Sequence, residues 1–232
     1  MDTLTSSVKQ ELHSFGALLV GFGDLAAIPA SQRHGMPVGV CVAVKFPKEV
    51  IRGIANLPTK EYYCWYYRLN EKLDLIVSQG AELLKKMGYE AVAQTRDRVG
   101  SGGIMQTTLP HKTVATRAGI GWIGKCALLV TEEYGSMIRL SAILTDAPLE
   151  TAVPINKSRC GDCLVCAKGC PGHAVKGAEW SLGTSRDEIF DAATCRDTAR
   201  ERSFEGYGIK ETICGRCIAL CPYTKRHLMA EG

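Results

Sequence analysis

The spacing of hydrophobic residues along this chain alternates between helix-like and strand-like patterns, which predicts a mixture of helices and strands before residue 150. Apolar residues recur at helical spacing over residues 5–15 and 61–87, and Pro110 opens a shorter helical stretch over residues 110–117. On the long helix the apolar face comprises Leu69, Leu73, Ile76, Leu83, Leu84 and Met87. Runs rich in apolar and β-branched residues predict strands at residues 17–22, 38–46, 90–95, 127–130 and 137–144.

The order of these elements favours an α+β fold. Helices and strands are interleaved, but they do not follow the strict strand–helix–strand alternation of a parallel α/β sheet. We expect residues 127–130 and 137–144 to form a hairpin that turns near Gly135. Residues 100–103, which contain three glycines, predict a flexible loop.

Composition and charge fit two compact domains joined by a linker. The segment 146–157, with Pro148 and Pro154, separates expected domains at residues 1–150 and 151–232. Hydrophobic residues make up 46% of the chain, and no apolar run approaches the roughly 20 residues that span a bilayer. The first residues lack the basic and apolar regions of a secretion signal. We therefore expect a cytoplasmic protein with no membrane partner; its net charge of +4 is weak support for nucleic acid binding.

The cysteines are the strongest chemical signal, because eight of the eleven fall between residues 160 and 221. They form the runs Cys160-x2-Cys163-x2-Cys166-x3-Cys170-Pro171 and Cys195…Cys214-x2-Cys217-x3-Cys221-Pro222. This is the spacing with which two-cluster bacterial ferredoxins hold two [4Fe-4S] clusters. The second run differs by a long insertion between its first and second cysteines.

The same spacing predicts which cysteines share a cluster. In two-cluster ferredoxins the fourth cysteine of one run binds the other cluster. By position, cluster one takes Cys160, Cys163, Cys166 and Cys221. Cluster two takes Cys170, Cys195, Cys214 and Cys217.

Other uses of these cysteines fit the sequence less well. Disulfides require an oxidising compartment, for which the sequence carries no secretion signal. Zinc sites favour paired CxxC motifs, which the CxxCxxCxxxCP run does not match. The other three cysteines, Cys41, Cys64 and Cys126, lie among apolar or aromatic residues and predict buried packing positions.

A glycine motif at residues 119–124 matches the dinucleotide fingerprint GxGxxG but has the wrong context. In a dinucleotide fold the glycines follow a strand and open a helix. Here a predicted helix precedes them and a predicted strand follows them. The glycines more plausibly allow the backbone to approach another large ligand.

Several motifs together resemble the epoxyqueuosine reductase family. They are the segment from His111 to Lys125 with its AGIGWIGK core, Leu128–Val130, residues 135–146 and the cysteine runs ending in Cys221-Pro-Tyr-Thr. The similarity runs in order from about residue 105 to residue 226. The family is grouped with the reductive dehalogenases among cobalamin-dependent iron–sulfur reductases.

This resemblance implies a nitroreductase-like domain that holds base-off cobalamin, followed by a ferredoxin-like module with two [4Fe-4S] clusters. Electrons would pass through the clusters to the cobalt, while the protein positions the corrin and excludes water. By matching positions, the cofactor-binding residues would be Met105, Lys112, Gly119, Gly121, Trp122, Lys125, Val130 and Ser141. Ordinary core packing is the alternative role for Trp122 and the apolar strand residues.

The substrate is where the sequence departs from this family. The family's acidic proton donor is replaced here by Met105, and another acidic position is replaced by His111. His111 has an ordinary pKa range suited to acid–base chemistry, and a simple hydrogen bond near the start of a helix is its alternative role. Tyr67 is a candidate phenol donor, as are Tyr62, Tyr63 and Tyr66. The chain also stops at Gly232, where the family carries a helical-repeat extension. We therefore expect tRNA not to be a partner.

Two functions fit these observations. One is an oxidoreductase that passes electrons from the clusters to a corrinoid and reduces an unidentified small molecule. The other is an electron-transfer or corrinoid-reducing protein that performs no substrate chemistry of its own. In both, a low-potential donor such as ferredoxin or flavodoxin would supply the electrons.

Overall fold

The computed structural model describes residues 3–103 and 106–230 and confirms the mixed helix and strand composition. Its helices are α1 (Thr3–Ser14), α2 (Lys48–Gly53), α3 (Lys60–Lys86), α4 (His111–Arg117), α5 (Val165–Lys168), α6 (Arg186–Ile189), α7 (Ala192–Tyr207), α8 (Arg216–Leu220) and α9 (Pro222–Met229). Its strands are β1 (Leu19–Asp24), β2 (Val38–Lys45), β3 (Ala91–Ala93), β4 (Ser101–Gly103), β5 (Gln106–Thr107), β6 (Trp122–Ile123), β7 (Leu129–Val130) and β8 (Ile138–Thr145). Among the described helices, none combines the length and apolarity that a membrane span requires.

Contacts divide the chain into two compact units, each built from separate segments. Unit 1 comprises Met1–Val44, Leu69–Gly121 and Arg139–Asn156. Unit 2 comprises Lys45–Arg68, Trp122–Ile138 and Lys157–Gly232. Unit 2 thus contains two segments that precede residue 150 as well as the cysteine-rich part of the chain. This division differs from the single boundary at residue 150 that the sequence predicts. The two domains expected from the sequence stay a prediction.

Unit 1 is built on a four-stranded sheet with the strand order β1-β2-β8-β3. β1 runs antiparallel to β2, with Leu19 opposite Ala43, and β3 runs antiparallel to β8, with Ala91 opposite Thr145. β2 is buried at every residue except Lys45. Such a continuous apolar run is typical of a strand covered on both faces.

Helix α4 packs closely on β1 because this strand carries glycine at the contact. A Cβ atom on Gly21 would lie 2.8 Å from the carbonyl oxygen of Ala118. One on Gly23 would lie 2.6 Å from the carbonyl carbon of Arg117. Neither position has room for a side chain, so the glycines set how near α4 and the following turn come to the sheet.

Helix α3 matches its prediction to within one residue at each end. The Thr59 Oγ1 atom accepts a hydrogen bond of 3.2 Å from the Tyr62 N–H and caps the first turn. Gly88 ends the helix with a φ of +90°. The predicted apolar face is buried at Leu69, Leu73, Ile76 and Leu84. Met87 is 37% exposed because the helix has already ended.

Two predictions about strands are wrong. The glycine-rich segment expected to be a loop contains β4, which pairs with β5. The expected hairpin between residues 127–130 and 137–144 does not form, because β7 pairs with β6 and β8 joins the sheet of unit 1. Ala127 has a φ of +60°, and its N–H donates to the Gly124 carbonyl oxygen at 2.8 Å. The chain therefore reverses between β6 and β7.

Unit 2 contains a hydrophobic core that supports many of the predicted cluster ligands. Its buried members are Ile123, Cys126, Ala127, Ala174, Val175, Trp180, Ile189, Phe190 and Ala192. The partly buried Cys166, Cys170, Cys195 and Cys217 pack against this core. Cysteines from both sequence runs are thus held by one set of apolar contacts.

Candidate functional site

Five cysteines from three parts of the chain line one cavity in unit 2. This cavity, called here the cysteine cavity, has a volume of about 80 Å³. Its cysteines are Cys160, Cys163, Cys166 and Cys221, together with Cys126. Gly124, Lys125, Val130, Pro222 and Tyr223 complete the lining. The first four are the residues that ferredoxin spacing assigns to cluster one.

The arrangement of these thiols differs from that of a single-metal site. Among the described residues, no three His, Cys, Asp or Glu side chains converge as the ligands of one metal ion would. A structural zinc site requires four ligands within about 2.3 Å of a single point. Thiols placed around a cavity could hold the corners of an iron–sulfur cluster.

Three hydrogen bonds position the CxxCxxC loop. The Cys160 N–H donates to Ser158 Oγ at 3.2 Å, and the Cys163 N–H donates to the Cys160 carbonyl oxygen at 3.1 Å. The buried Lys125 donates from Nζ to the Gly161 carbonyl oxygen at 2.6 Å. Lys125 thus ties the turn after β6 to the loop, and its positive charge lies beside thiols that would bind metal as anions.

Cys221 reaches the cavity from the junction of two helices. Its N–H donates to the Ile218 carbonyl oxygen at the end of α8, and Pro222 is the first residue of α9. Proline is favoured there because the first helical position needs no amide donor. Burial raises the pKa of the Cys221 thiol. Its ionisation therefore needs a strong counter-charge such as a bound metal.

Some of the predicted ligands of cluster two also lie close to one another. Burial first, and then the charges of Cys170 and Cys214, raise the pKa of the Cys195 thiol to about 11. Cys217 packs against the same core as Cys170 and Cys195. Cys195 lies in the first turn of α7, where the Asp191 carboxylate accepts from the Thr194 N–H at 3.0 Å.

Cys126 is the residue at this site that sequence reasoning missed. It is buried, as predicted, but Cys166 and Cys217 pack against the same core. Cys166 lowers the pKa of the Cys126 thiol, whereas Cys217 and burial raise it, and the net shift is upward. Its position directly after Lys125 was the available signal. Cys41 is buried in β2 as expected, whereas Cys64 is exposed and contradicts its prediction as a buried residue.

Two of the other predicted cofactor residues in unit 2 line the cysteine cavity, and the third is buried nearby. Lys125 and Val130 are in the lining. Trp122 is fully buried, and its ring meets the ring of Tyr223 edge-on at 5.0 Å between centroids. Since Tyr223 also lines the cavity, Trp122 supports its wall. The Trp122 Nε1 atom is buried without a hydrogen-bond partner among the described residues.

The remaining predicted cofactor residues lie in unit 1, apart from one that falls outside the described residues. Gly119 has a φ of +67°, and a Cβ there would lie 3.1 Å from the Val153 carbonyl oxygen. Gly119 therefore accommodates this chain's own backbone. Ser141 Oγ donates to the Gln94 carbonyl oxygen at 2.9 Å. Lys112 is half-buried on α4, and Gly121 ends the segment before β6. Met105 lies outside the described residues.

The pKa of His111 differs from the ordinary value that the sequence suggested. Burial first, and then the positive charge of Arg139, lower its pKa to about 4, against an opposing effect of Asp74. The Nδ1 atom is buried without a hydrogen-bond partner among the described residues. The imidazole is therefore neutral near pH 7, so the ordinary pKa that made His111 attractive as an acid does not apply.

Tyr67 belongs to an aromatic cluster of unit 2. Its ring lies 4.9 Å from that of Tyr63 and 5.5 Å from that of Tyr66. Burial, followed by a hydrogen bond with the Glu211 carboxylate, raises the Tyr67 pKa to about 12. The phenol therefore stays protonated to a higher pH than an exposed tyrosine would.

Comparison with known proteins gives relatives in both sequence and fold. No family model matches the chain. The epoxyqueuosine reductase of Listeria monocytogenes is 31% identical over 159 residues, which cover 68% of this chain and 38% of the relative. A crystal structure of epoxyqueuosine reductase with an epoxyqueuosine-modified tRNA-Tyr stem loop has a TM-score of 0.62 at 21% identity, covering 96% of this chain and 65% of the other. A reductive dehalogenase structure described in terms of B12-dependent dehalogenation has a TM-score of 0.65 at 18% identity, covering 93% and 31%.

These comparisons define a class first. The chain shares its fold with epoxyqueuosine reductases and reductive dehalogenases of known structure. Within that class, its relatives in sequence are epoxyqueuosine reductases, and the resemblance predicted from its motifs is confirmed. The chain spans 38% of the Listeria relative's length.

One expectation is overturned by these findings. The sequence led us to expect that tRNA is not a partner, because of Met105 and the short C-terminal end. Yet the relatives are epoxyqueuosine reductases, and a structural neighbour was solved with a modified tRNA stem loop. The expectation of an unidentified small molecule as substrate loses its support for the same reason.

Proposed function

We propose that this chain is an iron–sulfur reductase of the epoxyqueuosine reductase type, in which two [4Fe-4S] clusters pass electrons to a corrinoid. The observation that carries the proposal is the cysteine cavity. Cys221 is distant in sequence from the CxxCxxC loop, yet it lines the same cavity as Cys160, Cys163 and Cys166. Ferredoxin spacing requires this combination of a three-cysteine loop and a remote fourth ligand.

The second cluster would be held by Cys170, Cys195, Cys214 and Cys217. Besides burial, the charges of Cys170 and Cys214 raise the pKa of the Cys195 thiol, which supports this set. The hydrophobic core against which Cys170, Cys195 and Cys217 pack supports it as well. Residues 151–232 would then act as a ferredoxin-like module. A low-potential donor such as ferredoxin or flavodoxin would reduce it.

Cobalamin is the proposed acceptor of these electrons, in a nitroreductase-like domain. When bound, it would supply a strongly reducing cobalt centre. Unit 1 contains buried polar atoms suited to a polar ligand: His111 Nδ1 and Gln94 Nε2 have no hydrogen-bond partner among the described residues. The backbone carbonyl oxygen of Gln94 also accepts a hydrogen bond from Ser141, one of the residues expected to hold the cofactor.

The proposed substrate is epoxyqueuosine in tRNA, following the relatives. Reduction of an epoxide to an alkene consumes two electrons and two protons and releases the oxygen as water. The clusters and corrinoid would supply the electrons. The neutral His111 is suited to donate a hydrogen bond to a substrate or water molecule but not to act as an imidazolium acid.

That same property of His111 favours a second candidate function. A protein without an effective acid in place of the family's carboxylic acid would still carry electrons. It would then reduce a bound or delivered corrinoid and perform no substrate chemistry. A cytoplasmic location is expected for either function.

An anaerobic reconstitution experiment tests these proposals in order. Iron and sulfide analysis should give about eight iron atoms per chain, as two cubes require. Added cobalamin should give an EPR signal of base-off Co(II) at one per chain. An epoxyqueuosine-modified tRNA stem loop should then lose one oxygen atom by mass spectrometry.

Each outcome of that experiment has a distinct meaning. Deoxygenated tRNA establishes the reductase. Full clusters and bound Co(II), reducible but without tRNA product, favour the electron-transfer function. Failure to incorporate more than one metal ion per chain contradicts both.

A further inference from the structure

Cys126 has contacts that the proposed ligand sets leave unexplained. The eight ligands proposed above complete two cubes, so Cys126 is a ninth thiol at the site. It follows Lys125 in the turn between β6 and β7 and is only 5% exposed. A thiol buried against metal ligands influences them whether or not it binds the metal.

The Cys126 thiol reaches members of both ligand sets. It belongs to the buried core against which Cys166, proposed for cluster one, and Cys217, proposed for cluster two, both pack, and these two thiols influence its pKa. It also lines the cysteine cavity. A Cβ atom built on Gly124 would lie 3.6 Å from Cys160 Sγ and 3.7 Å from Cys126 Sγ, so these two sulfurs flank a common point.

We propose that Cys126 is a positioning residue that links the two cluster sites, donating its S–H hydrogen bond to the coordinated sulfur of Cys166 or Cys217. This proposal rests on the proposed function, because it requires that both clusters form. Cys126 keeps its proton and stays outside the ligand sets. No bond to iron forms or breaks.

Such a hydrogen bond changes the equilibrium between oxidised and reduced clusters. Hydrogen bonds to cluster sulfurs help to set the reduction potential. A reduced cluster carries more negative charge, and a donor near its sulfur ligand stabilises that charge. Cys126 therefore favours reduction of the cluster to which it donates, and it does so at the point where the two ligand sets meet.

Contact with both sets also argues against Cys126 as a ligand itself. As a ligand it would displace a member of one complete set and leave that cysteine unused. Cys41 offers a contrast, because this buried thiol makes only a 4.0 Å contact with the backbone oxygen of Val42. Cys41 is therefore a matched control: a buried cysteine whose thiol contacts a backbone oxygen and not another thiol among the described residues.

The test compares reconstituted wild-type protein with Cys126→Ala, Cys126→Val, Cys126→Ser and Cys41→Ala. Alanine removes the donor, valine removes it while filling more of the space, and serine retains a hydroxyl donor. The readouts are iron per chain and an EPR-monitored redox titration of both clusters. The wild-type iron content tests the proposed function separately, since Cys126 can link two clusters only in protein that holds both.

We expect all variants to keep the wild-type iron content. In Cys126→Ala and Cys126→Val, at least one cluster should become harder to reduce, with a roughly tenfold change in its oxidised-to-reduced ratio at fixed potential. That corresponds to about 59 mV for a one-electron couple. Cys126→Ser should lie between these variants and the wild type, and Cys41→Ala should match the wild type.

Two results would overturn the proposal. Loss of one cluster's iron from the alanine and valine variants, with Cys41→Ala intact, would make Cys126 a ligand. Full iron with unchanged titration curves would make it a packing residue. If alanine at this position prevents folding, the valine and serine variants still decide between these results.

Discussion

His111 shows how burial changes the chemistry of a single side chain. Its pKa is lowered to about 4 mainly by burial and then by Arg139. We therefore expect its ring protons to titrate near pH 4 in NMR spectra instead of near pH 6.5. The chain has five histidines, so His111→Gln would identify the resonance. A midpoint near pH 6.5 would contradict the buried neutral imidazole.

The same shift predicts how stability depends on pH. Because the folded pKa lies below the unfolded value of 6.5, the unfolded chain binds a proton first as the pH falls. The contribution of His111 is complete above pH 6.5 and is lost as the pH falls toward 4, by about 3 kcal/mol. Unfolding of the metal-free protein should therefore depend less on pH in His111→Gln across this window.

Residue chemistry that depends on local spacing could be predicted, whereas chemistry that depends on tertiary contacts could not. The CxxCxxC spacing identified Cys160, Cys163 and Cys166, because a short loop alone brings those thiols together. The contacts of Cys126 require the turn between β6 and β7 to pack on a later segment. The position directly after Lys125 placed Cys126 near the expected site, but neighbouring residues in the sequence do not specify that packing.

At the scale of elements, the turn between β6 and β7 sets one wall of the cysteine cavity. A Cβ on Gly124 would lie 2.7 Å from Val130 Cγ2, which is too close for either residue to keep its place. We therefore expect Gly124→Ala to displace β7 and to lose roughly half of the bound iron, that of cluster one. Iron analysis and EPR of the reduced protein measure this.

A second glycine in unit 2 provides the control. A Cβ on Gly53, at the end of α2, would meet its nearest atom, Thr59 Cγ2, at 4.0 Å. Gly53→Ala should therefore bind as much iron as the wild type. Equal iron in both variants would show that the cavity wall adjusts to the added methyl group.

Long elements were predicted better than short ones. Helix α3 has enough turns for its apolar spacing to identify it, and β2 has eight residues in a continuous apolar run. β6 and β7 have two residues each and form only because Ala127 adopts a positive φ between them. Such a conformation is uncommon for alanine, so the sequence favoured a longer strand there.

At the scale of the whole chain, the expectation that tRNA is not a partner gave too much weight to the positions where this chain differs from its relatives. Met105 and the short C-terminal end argued against tRNA, but they concern a small part of the similarity. The Listeria relative matches over 159 residues, and the shared fold covers 96% of this chain. A substituted proton donor changes how a reaction is completed, and it carries little information about which molecule is bound.

The exchange of ligands between the two cysteine runs is a property of the whole cluster module, and paired alanine substitutions test it. If Cys160 and Cys221 serve one cube, then Cys160→Ala with Cys221→Ala removes only that cube and leaves about half of the iron. Cys160→Ala with Cys170→Ala damages both cubes and leaves little iron. Ligation within each run predicts the reverse, since Cys160 and Cys170 would then share a cube. Because both pairs remove two cysteines and include Cys160, the difference in iron between them reports ligand pairing and not the number of thiols lost. The cysteine cavity, which brings Cys221 to Cys160, leads us to expect that the first pair keeps a cluster and the second does not.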